Sequence, residues 1–442
     1  PGPGPKWIGG LTTVPDENGD ERLIAKYVRM KSLGETLERG LVVFNDETKG
    51  FDRLVQFDLD APLYLDGHPF RAIADGAEYF YCGYSPPFAV RVRTDLTQLQ
   101  NPTAYEGFSC LVAGSRYEKA KSKLDRGPDG RLNFAWKRNT PPLSYEQQEE
   151  LIKAGKMKRD EMWLQLTDIE TGKPVRPHAG SVRWNEYRKR WVMIVEESFG
   201  TSNLGEVWYA EADSPIGPWV YARKIVTHDK YSFYNPVHHA FFDQDGGRLI
   251  YFEGTYAELF SGAPEKTPRY DYNQIMYRLA LDDPRLFLPV PIYRVDAREP
   301  GGTLMLRNDV DGANLWSSVR GVEFFAIPPN RRAEETIPIY ATRGKDGVRL
   351  TREAPPGDSL REKPIFHAQP PDAHDEKLSP SIVPLYEYRR DDQPRVFVYS
   401  TASQLSDKRL VRSAEPLCQV WRNPMASLIL DCDVTPVPVV KE

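Results

Sequence analysis

Cysteine is scarce, with four residues among 442 at positions 82, 110, 418 and 432 and no CxxC pair, which removes thiolate zinc sites of the finger or ribbon kind. Cys418 and Cys432 keep two readings, a disulfide in an oxidising compartment or two buried free thiols. No run of about 18 apolar residues occurs, so no membrane-spanning helix is expected, and no charged-then-apolar leader stands before Trp7. Charge of one sign is missing too. The 58 Lys and Arg against 63 Asp and Glu leave a net charge of −5, without the basic footprint that nucleic acid or an anionic membrane surface requires.

Turn formers and aromatics are abundant. The 38 Pro, 32 Gly, 23 Tyr, 19 Phe and 9 Trp suit many short strands joined by tight turns, and the chain is long enough for two or three domains. Over residues 1–286 a hairpin motif recurs: an apolar run, a polar or Gly-containing turn, then an aromatic-rich run. Its copies are Trp7–Met30 about DENGDE, His68–Tyr84 about ADG, His178–Glu197 about NEYRKR and His238–Tyr256 about DQDGG, with a fifth at Leu124–Lys137 about PDG. Further strands such as Glu206–Glu211 and Trp219–Ile225 complete each unit, so the reading is an all-β chain whose first part is a five-bladed β-propeller. Ser144-Tyr-Glu-Gln147 forms a capping box for one helix, which runs through Ile152 and stops at Gly155.

A second repeat set fills residues 287–442, beyond a hinge near Asp282-Asp-Pro284. Pro291-Ile-Tyr293, Pro338-Ile-Tyr340 and Pro384-Leu-Tyr386 each open a strand, and Phe324–Pro329, Phe366–Pro371 and Gln419–Pro424 close the units. Such short units bury their apolar faces only on one another, which predicts a β-trefoil-like domain of accessory or carbohydrate-binding role, with a two-sheet sandwich as the other solution.

In a propeller the inner strand of each blade starts on the face where the second strand ends, because the two form an antiparallel hairpin. The starts carry His68 and Arg71, then His178, then Asn235, His238 and His239. The ends carry Tyr81 and Tyr84, then Trp136, Lys137 and Arg138, then Glu196 and Glu197, then Glu253 and Tyr256. Four of the seven histidines fall on starts, which concentrates titratable groups at the mouth of the central funnel. Paired carboxylates from separate elements suit glycoside cleavage, one protonating the leaving oxygen and the other activating water or attacking the sugar. Glu197 and Glu253 are the expected pair. Adjacent strand residues face opposite sides, so one of Glu196 and Glu197 reaches the funnel, and Glu197 is the choice.

Asp271 is a third carboxylate for this site, and His178 and His239 would hold substrate or tune the acids. Tyr84, Trp136, Arg138 and Tyr256, with His68, Arg71, Asn235 and His238, would bind sugar rings and hydroxyls. A competing reading places a divalent metal at the axis on His68, His178 and His238 or His239. A polysaccharide lyase acting on uronate polymers with a Tyr or His base would follow. The non-catalytic alternative is a glycan-binding propeller.

Ala212-Asp-Ser-Pro-Ile-Gly-Pro-Trp219, after the strand Val207-Trp-Tyr-Ala-Glu211, resembles the blade signature of the five-bladed propeller glycosidases, the superfamily of arabinanases and β-xylosidases. The resemblance implies the propeller, a carbohydrate substrate and glycoside hydrolase activity. Trp7-Ile-Gly-Gly10 stands where those enzymes begin their first inner strand with a catalytic Asp, so their catalytic residues do not carry over. Pro384-Leu-Tyr386 and Tyr399-Ser-Thr401 resemble a repeat appended to bacterial extracellular and carbohydrate-active proteins, which implies an accessory binding or packing role rather than a second active site; a secreted or periplasmic location is expected.

Overall fold

The computed structural model describes residues 3–201, 203–228, 230–259, 261–267, 272–295, 303–306, 319–331, 333, 335–344, 347–355, 363–373, 380–392, 397–430 and 434–437. The chain is all-β. The first sheet is a meander of β1 (Lys6–Pro15), β2 (Glu21–Ser32), β3 (Glu35–Asn45) and β4 (Gly50–Phe57). Its first turn closes because the Asp16 carboxylate accepts the Asn18 and Asp20 amides, with Gly19 at φ 85°. The second sheet contains β5 (Phe70–Ala74), β6 (Ala77–Cys82), β7 (Val90–Arg93), β8 (Glu106–Ser109) and β9 (Ala135–Arg138). The third contains β10 (Thr167–Asp168), β11 (Pro177–Asn185), β12 (Arg190–Glu197), β13 (Val207–Ala212) and β14 (Tyr221–Val226). The fourth contains β15 (Ser232–His238), β16 (Leu249–Ala257) and β17 (Asn273–Ala280).

Apolar patterning explains which strands lie inside. In β12 the unbroken run Trp191–Val195 is buried on both faces, between β11 and β13 in its own sheet. Ala212–Trp219 forms the turn from β13 to β14, with Ser214 and Gly217 exchanging backbone hydrogen bonds. The helix Tyr145–Lys153 has its capping box: Ser144 Oγ accepts the Gln147 amide and Gln147 Oε1 accepts the Ser144 amide.

Two sequence expectations are corrected. The hairpin at Leu124–Lys137 founds no sheet of its own, so the described residues between 6 and 280 build four sheets rather than five. Cys110–Phe134 makes isolated bridges, and Ala135–Arg138 adds to the edge of the second sheet as β9. The polar stretch Glu118–Lys123 has no alternating apolar face to bury. Lys137 Nζ organises the loop instead, donating to the Leu111 carbonyl (2.8 Å) and to Asp125 (2.7 Å). Second, the fourth-sheet hairpin begins at Ser232, so His238 ends its first strand instead of starting it.

Beyond Pro284 lie β18 (Val290–Val295), β19 (Thr303–Leu306), β20 (Val319–Ala326), β21 (Ile337–Gly344), β22 (Gly347–Thr351), β23 (Phe366–Ala368), β24 (Ile382–Arg390), β25 (Phe397–Ser400), β26 (Leu410–Arg412), β27 (Cys418–Arg422) and β28 (Val434–Pro436). Each repeat pairs its opening strand with its own closing strand: Ile292 with Phe324, Ile339 with Phe366, Leu385 with Cys418. These six residues are all buried in one core. The closing segments also bond in a cycle, Ile327 to His367, Gln369 to Gln419, and Trp421 to Phe325. Cys418 is thus a buried thiol, and Cys432 lies outside the described residues.

The repeats share a core with the third and fourth sheets. Phe325, Ile327, Trp421, Met425 and Leu428 pack into the same cluster as Val220, Tyr221, Phe233 and Phe252. Tyr221 donates to the Arg422 carbonyl (2.6 Å), Tyr293 to Asp213 (2.8 Å) and Arg331 to Glu211 (3.0 Å). The segment after Asp283 is packed chain, with Leu286 and Leu288 in that cluster. Finally β28 returns to pair with β5, Val434 opposite Ala74 and Pro436 opposite Ala72.

Candidate active site

The edge strands β11 and β15 lie against each other, and both are interrupted by a bulge. In β11, Pro177 pairs with Glu197 and Gly180 with Val195, so His178 and Ala179 together oppose Glu196. In β15, Tyr234 pairs with Thr255 and Val237 with Glu253, so Asn235 and Pro236 together oppose Gly254. Two residues against one bends a strand and re-aims its side chains. Gly180 is required at the first bulge, since a Cβ there would stand 2.2 Å from the Ile194 carbonyl oxygen. Asn235 adopts φ 55° at the second, a left-handed conformation that Asn tolerates better than most residues.

Both bulges border one carboxyl group. Glu196 is fully buried, with Oε1 2.7 Å from His178 Nδ1, while Oε2 makes no full hydrogen bond. Burial pushes the Glu196 carboxyl above its usual range, and the His178 imidazole and the Asn235 and Ala179 amides pull back without cancelling that effect. His178 keeps a third of its side chain exposed, and no described residue bonds its Nε2. An imidazole with one nitrogen fixed by a buried carboxyl and the other free is suited to proton transfer.

Aromatic groups surround the pair. The Tyr84 ring stands edge-on to His178 at 5.4 Å. Its hydroxyl is pushed up to about 12 by desolvation and then by the negative charge of Glu196 and Asp66, although half of the residue's surface is open. Asp66 reaches this place through a close approach of two loops, in which the Gly83 amide donates to the Asp66 carbonyl (3.1 Å). A Cβ on Gly67, at φ 64°, would lie 1.8 Å from the Gly83 carbonyl oxygen, so only glycine allows the approach. The Asp66 carboxylate is ion-paired with Lys26 and accepts the Gly67 amide at 2.7 Å. On the other side Tyr234 meets Tyr272 edge to face at 6.2 Å, and burial, Tyr272 and Glu196 all push the Tyr234 hydroxyl up.

The residues expected from sequence divide among several places. His178, Tyr84 and Asn235 come together. Glu197 does not join them: its Oε2 accepts from Trp208 Nε1 at 2.9 Å, and its charged neighbours are Glu206, Lys224 and Asp168. Strand alternation puts the two glutamates on opposite faces, and Glu196 is the one bonded to His178. Because β15 begins earlier than expected, His239 and Glu253 sit further along the fold, paired with each other at 2.9 Å. His68 and Arg183 belong to that second group. The His68 imidazole is pushed down to about 4 by burial and by the charges of Arg183 and His239. Arg183 stands five positions along β11 from His178, about 16 Å of extended chain.

His238 is buried and bonded to Asp243 at 2.8 Å. Arg71 donates to the Thr13 carbonyl and lies 3.5 Å from Glu78. Trp136 packs in the core beside Tyr81 and under Arg91, and Arg138 is exposed with Glu106 at 3.9 Å, both on the edge strand β9 away from β5. Tyr256 stacks against Tyr231 and His228. Asp271 lies outside the described residues. Among the described residues no group of three or more His, Cys, Asp or Glu is arranged to hold a metal ion. The imidazoles expected at the axis are engaged separately, His178 with Glu196, His238 with Asp243 and His239 with Glu253. Glu196, Asp66, Tyr234 and Tyr272 are the mouth residues that the sequence reading did not select.

No family model matches the chain, and no curated protein matches it. Among solved structures it is similar to a thermostable family-43 glycoside hydrolase, at 14% identity over 62% of this chain and 72% of that one, with a TM-score of 0.25. It is also similar to an endo-1,5-α-L-arabinanase from Thermotoga petrophila, at 10% identity over 92% of this chain and 71% of that one, with a TM-score of 0.27. Likeness at this level decides neither fold family nor chemistry. No helix among the described residues is long and apolar enough to cross a membrane.

Proposed function

We propose that the chain is a carbohydrate-active enzyme that cleaves glycosidic bonds, with His178 as its acid–base residue and Glu196 as the positioning residue behind it. One observation carries this reading: a solvent-reaching imidazole is backed by a fully buried carboxyl at a mouth bordered by three tyrosines. Glu196 would fix the ring orientation and tautomer and leave Nε2 to exchange a proton with substrate. Tyr84 and Tyr272 each expose half or more of their surface, which offers apolar faces for sugar rings.

Hydrolysis is the leading form. His178 would protonate the leaving oxygen, while the Asp66 carboxylate would take the proton of an attacking water or stabilise the positive charge on the sugar ring. Elimination on a uronate residue is the second form, favoured by the groups that reach solvent, an imidazole and phenols rather than paired carboxylates. There His178 would remove the proton beside the carboxylate and the glycosidic oxygen would leave with its bonding pair, taking a proton from solvent, giving a carbon–carbon double bond. In this reading the four N-terminal sheets are propeller blades, the cyclic three-unit part is a trefoil-like accessory domain, and the enzyme acts as a secreted or periplasmic protein.

The test is incubation with aryl glycosides and with plant and algal polysaccharides. New reducing ends report cleavage, and ultraviolet absorbance of the conjugated double bond separates elimination from hydrolysis. His178→Ala should lower product formation by about 10²–10⁴-fold at unchanged melting temperature. Undiminished cleavage by that variant overturns the assignment.

A further inference from the structure

We infer that a second cleft, at the opposite end of β11 from His178, binds a ring-bearing carboxylate of the uronic acid class. The cleft has a volume of about 330 Å³ and is lined by Phe70, Arg71, Arg183, Trp184, Asp243 and Gly247. That volume falls at the small end of the range for ligand pockets, enough for one or two sugar rings.

One cation of the cleft bonds no carboxylate. Arg71 has Glu78 at 3.5 Å, Glu186, also at the cleft, has Lys189, and Asp243 is hydrogen-bonded to His238 at 2.8 Å while its charge acts on Arg183. Arg183 makes no ion pair among the described residues. Its Nη1 donates to the carbonyls of His68 (3.0 Å) and Val182 (2.8 Å), which anchors the guanidinium and leaves its remaining N–H donors without a carboxylate. Burial lowers Arg183 only to about 10, so it is cationic at neutral pH. A half-buried guanidinium whose free N–H donors bond no carboxylate keeps a fork that can hold a planar anion through parallel hydrogen bonds, with Asp243 as its one charged neighbour in the cleft.

The apolar wall is equally fixed. Trp184 donates its Nε1 to Glu186 at 2.8 Å and leans on Trp191 at 5.7 Å between ring centres, so its indole is held in place in the cleft wall. Gly247 keeps the facing wall thin, since a Cβ there would stand 2.8 Å from Asn185 Nδ2. An inorganic oxyanion would use Arg183 alone and a neutral sugar Trp184 alone. A ring with a carboxylate uses both.

Isothermal titration of the full chain with glucuronate, galacturonate, glucose, galactose and sulfate at constant ionic strength tests this. The uronates should bind at least about tenfold more tightly than the neutral sugars, a difference of about 1.4 kcal/mol. Arg183→Lys, which keeps the charge without the fork, and Arg183→Gln should each weaken uronate binding, while Trp184→Leu should weaken uronates and leave sulfate unchanged. His178→Ala should leave this binding intact, so loss of catalysis and loss of binding are read separately. Uronates binding no tighter than sulfate or neutral sugars, affinity surviving both the Arg183 and Trp184 changes, or binding lost in His178→Ala overturns the inference.

Discussion

Glu196 and Glu211 lie on neighbouring strands of the same sheet, both buried, in surroundings that differ in one respect. Around Glu211 burial alone would push the carboxyl up, but the guanidiniums of Arg331, Arg188 and Arg190 outweigh it and bring the group to about 2. Arg188 Nε donates at 2.8 Å, Arg331 Nη1 at 3.0 Å and the Tyr209 hydroxyl at 2.6 Å. Glu196 has one imidazole and two amides, so burial prevails. Desolvation is common to the two. The supply of positive charge makes one a fastener between the repeats and the third sheet, and leaves the other able to share a proton.

The contrast can be broken most severely at His178. His178→Ala should lower turnover by about 10²–10⁴-fold in steady-state assays while denaturation curves stay unchanged. Glu211→Gln should do the reverse, costing about 3–5 kcal/mol in chemical denaturation because three buried guanidiniums lose their anion.

Acid titration sharpens the difference. Glu211 has a folded value below its unfolded one, so its contribution of about 3 kcal/mol is fully present above pH 4.5 and lost as pH falls towards 2. Glu196 is shifted the other way, so its ionisation opposes folding as pH rises beyond the ordinary carboxylate range. Glu196→Gln should remove that penalty, lower turnover by about tenfold or more, and change the pH–rate profile of the coupled pair. The smallest effect belongs to Glu197→Gln, which should leave turnover unchanged and alter stability by about 0.5 kcal/mol at most. An activity loss there equal to that of Glu196→Gln would mean that the wrong face of β12 has been assigned.

The all-β class, the hairpins and the three closing units were legible because alternation, turn residues and repeated Pro-x-Tyr openings are local signals. His178 was legible for the same reason, standing at the start of a hairpin with a recognisable turn. The choice between Glu196 and Glu197 was not. Alternation says only that the two differ, and the bulge at His178 and Ala179, which decides how the strand faces its partner, leaves only Gly180 as a trace in sequence. Trp136 and Arg138 were misplaced because their strand joins an existing sheet as an outer edge, a pairing made over a loop of polar residues without periodicity. Asp66 was missed because its position depends on the Gly67–Gly83 approach between two loops. Tyr234 and Tyr272 meet only once β15 and the chain entering β17 are brought together.

The apolar cluster joining Tyr221, Phe233 and Phe252 to Phe325, Trp421 and Leu428 bears on modularity. A fragment cut near Pro284 would lose at least three large core side chains, each worth about 1.5–3 kcal/mol when buried, and would display a greasy scar where the repeats had been. Such a fragment should aggregate in inclusion bodies rather than express as a free-standing catalyst. Grafting either portion into a chimera would therefore require repainting that surface first.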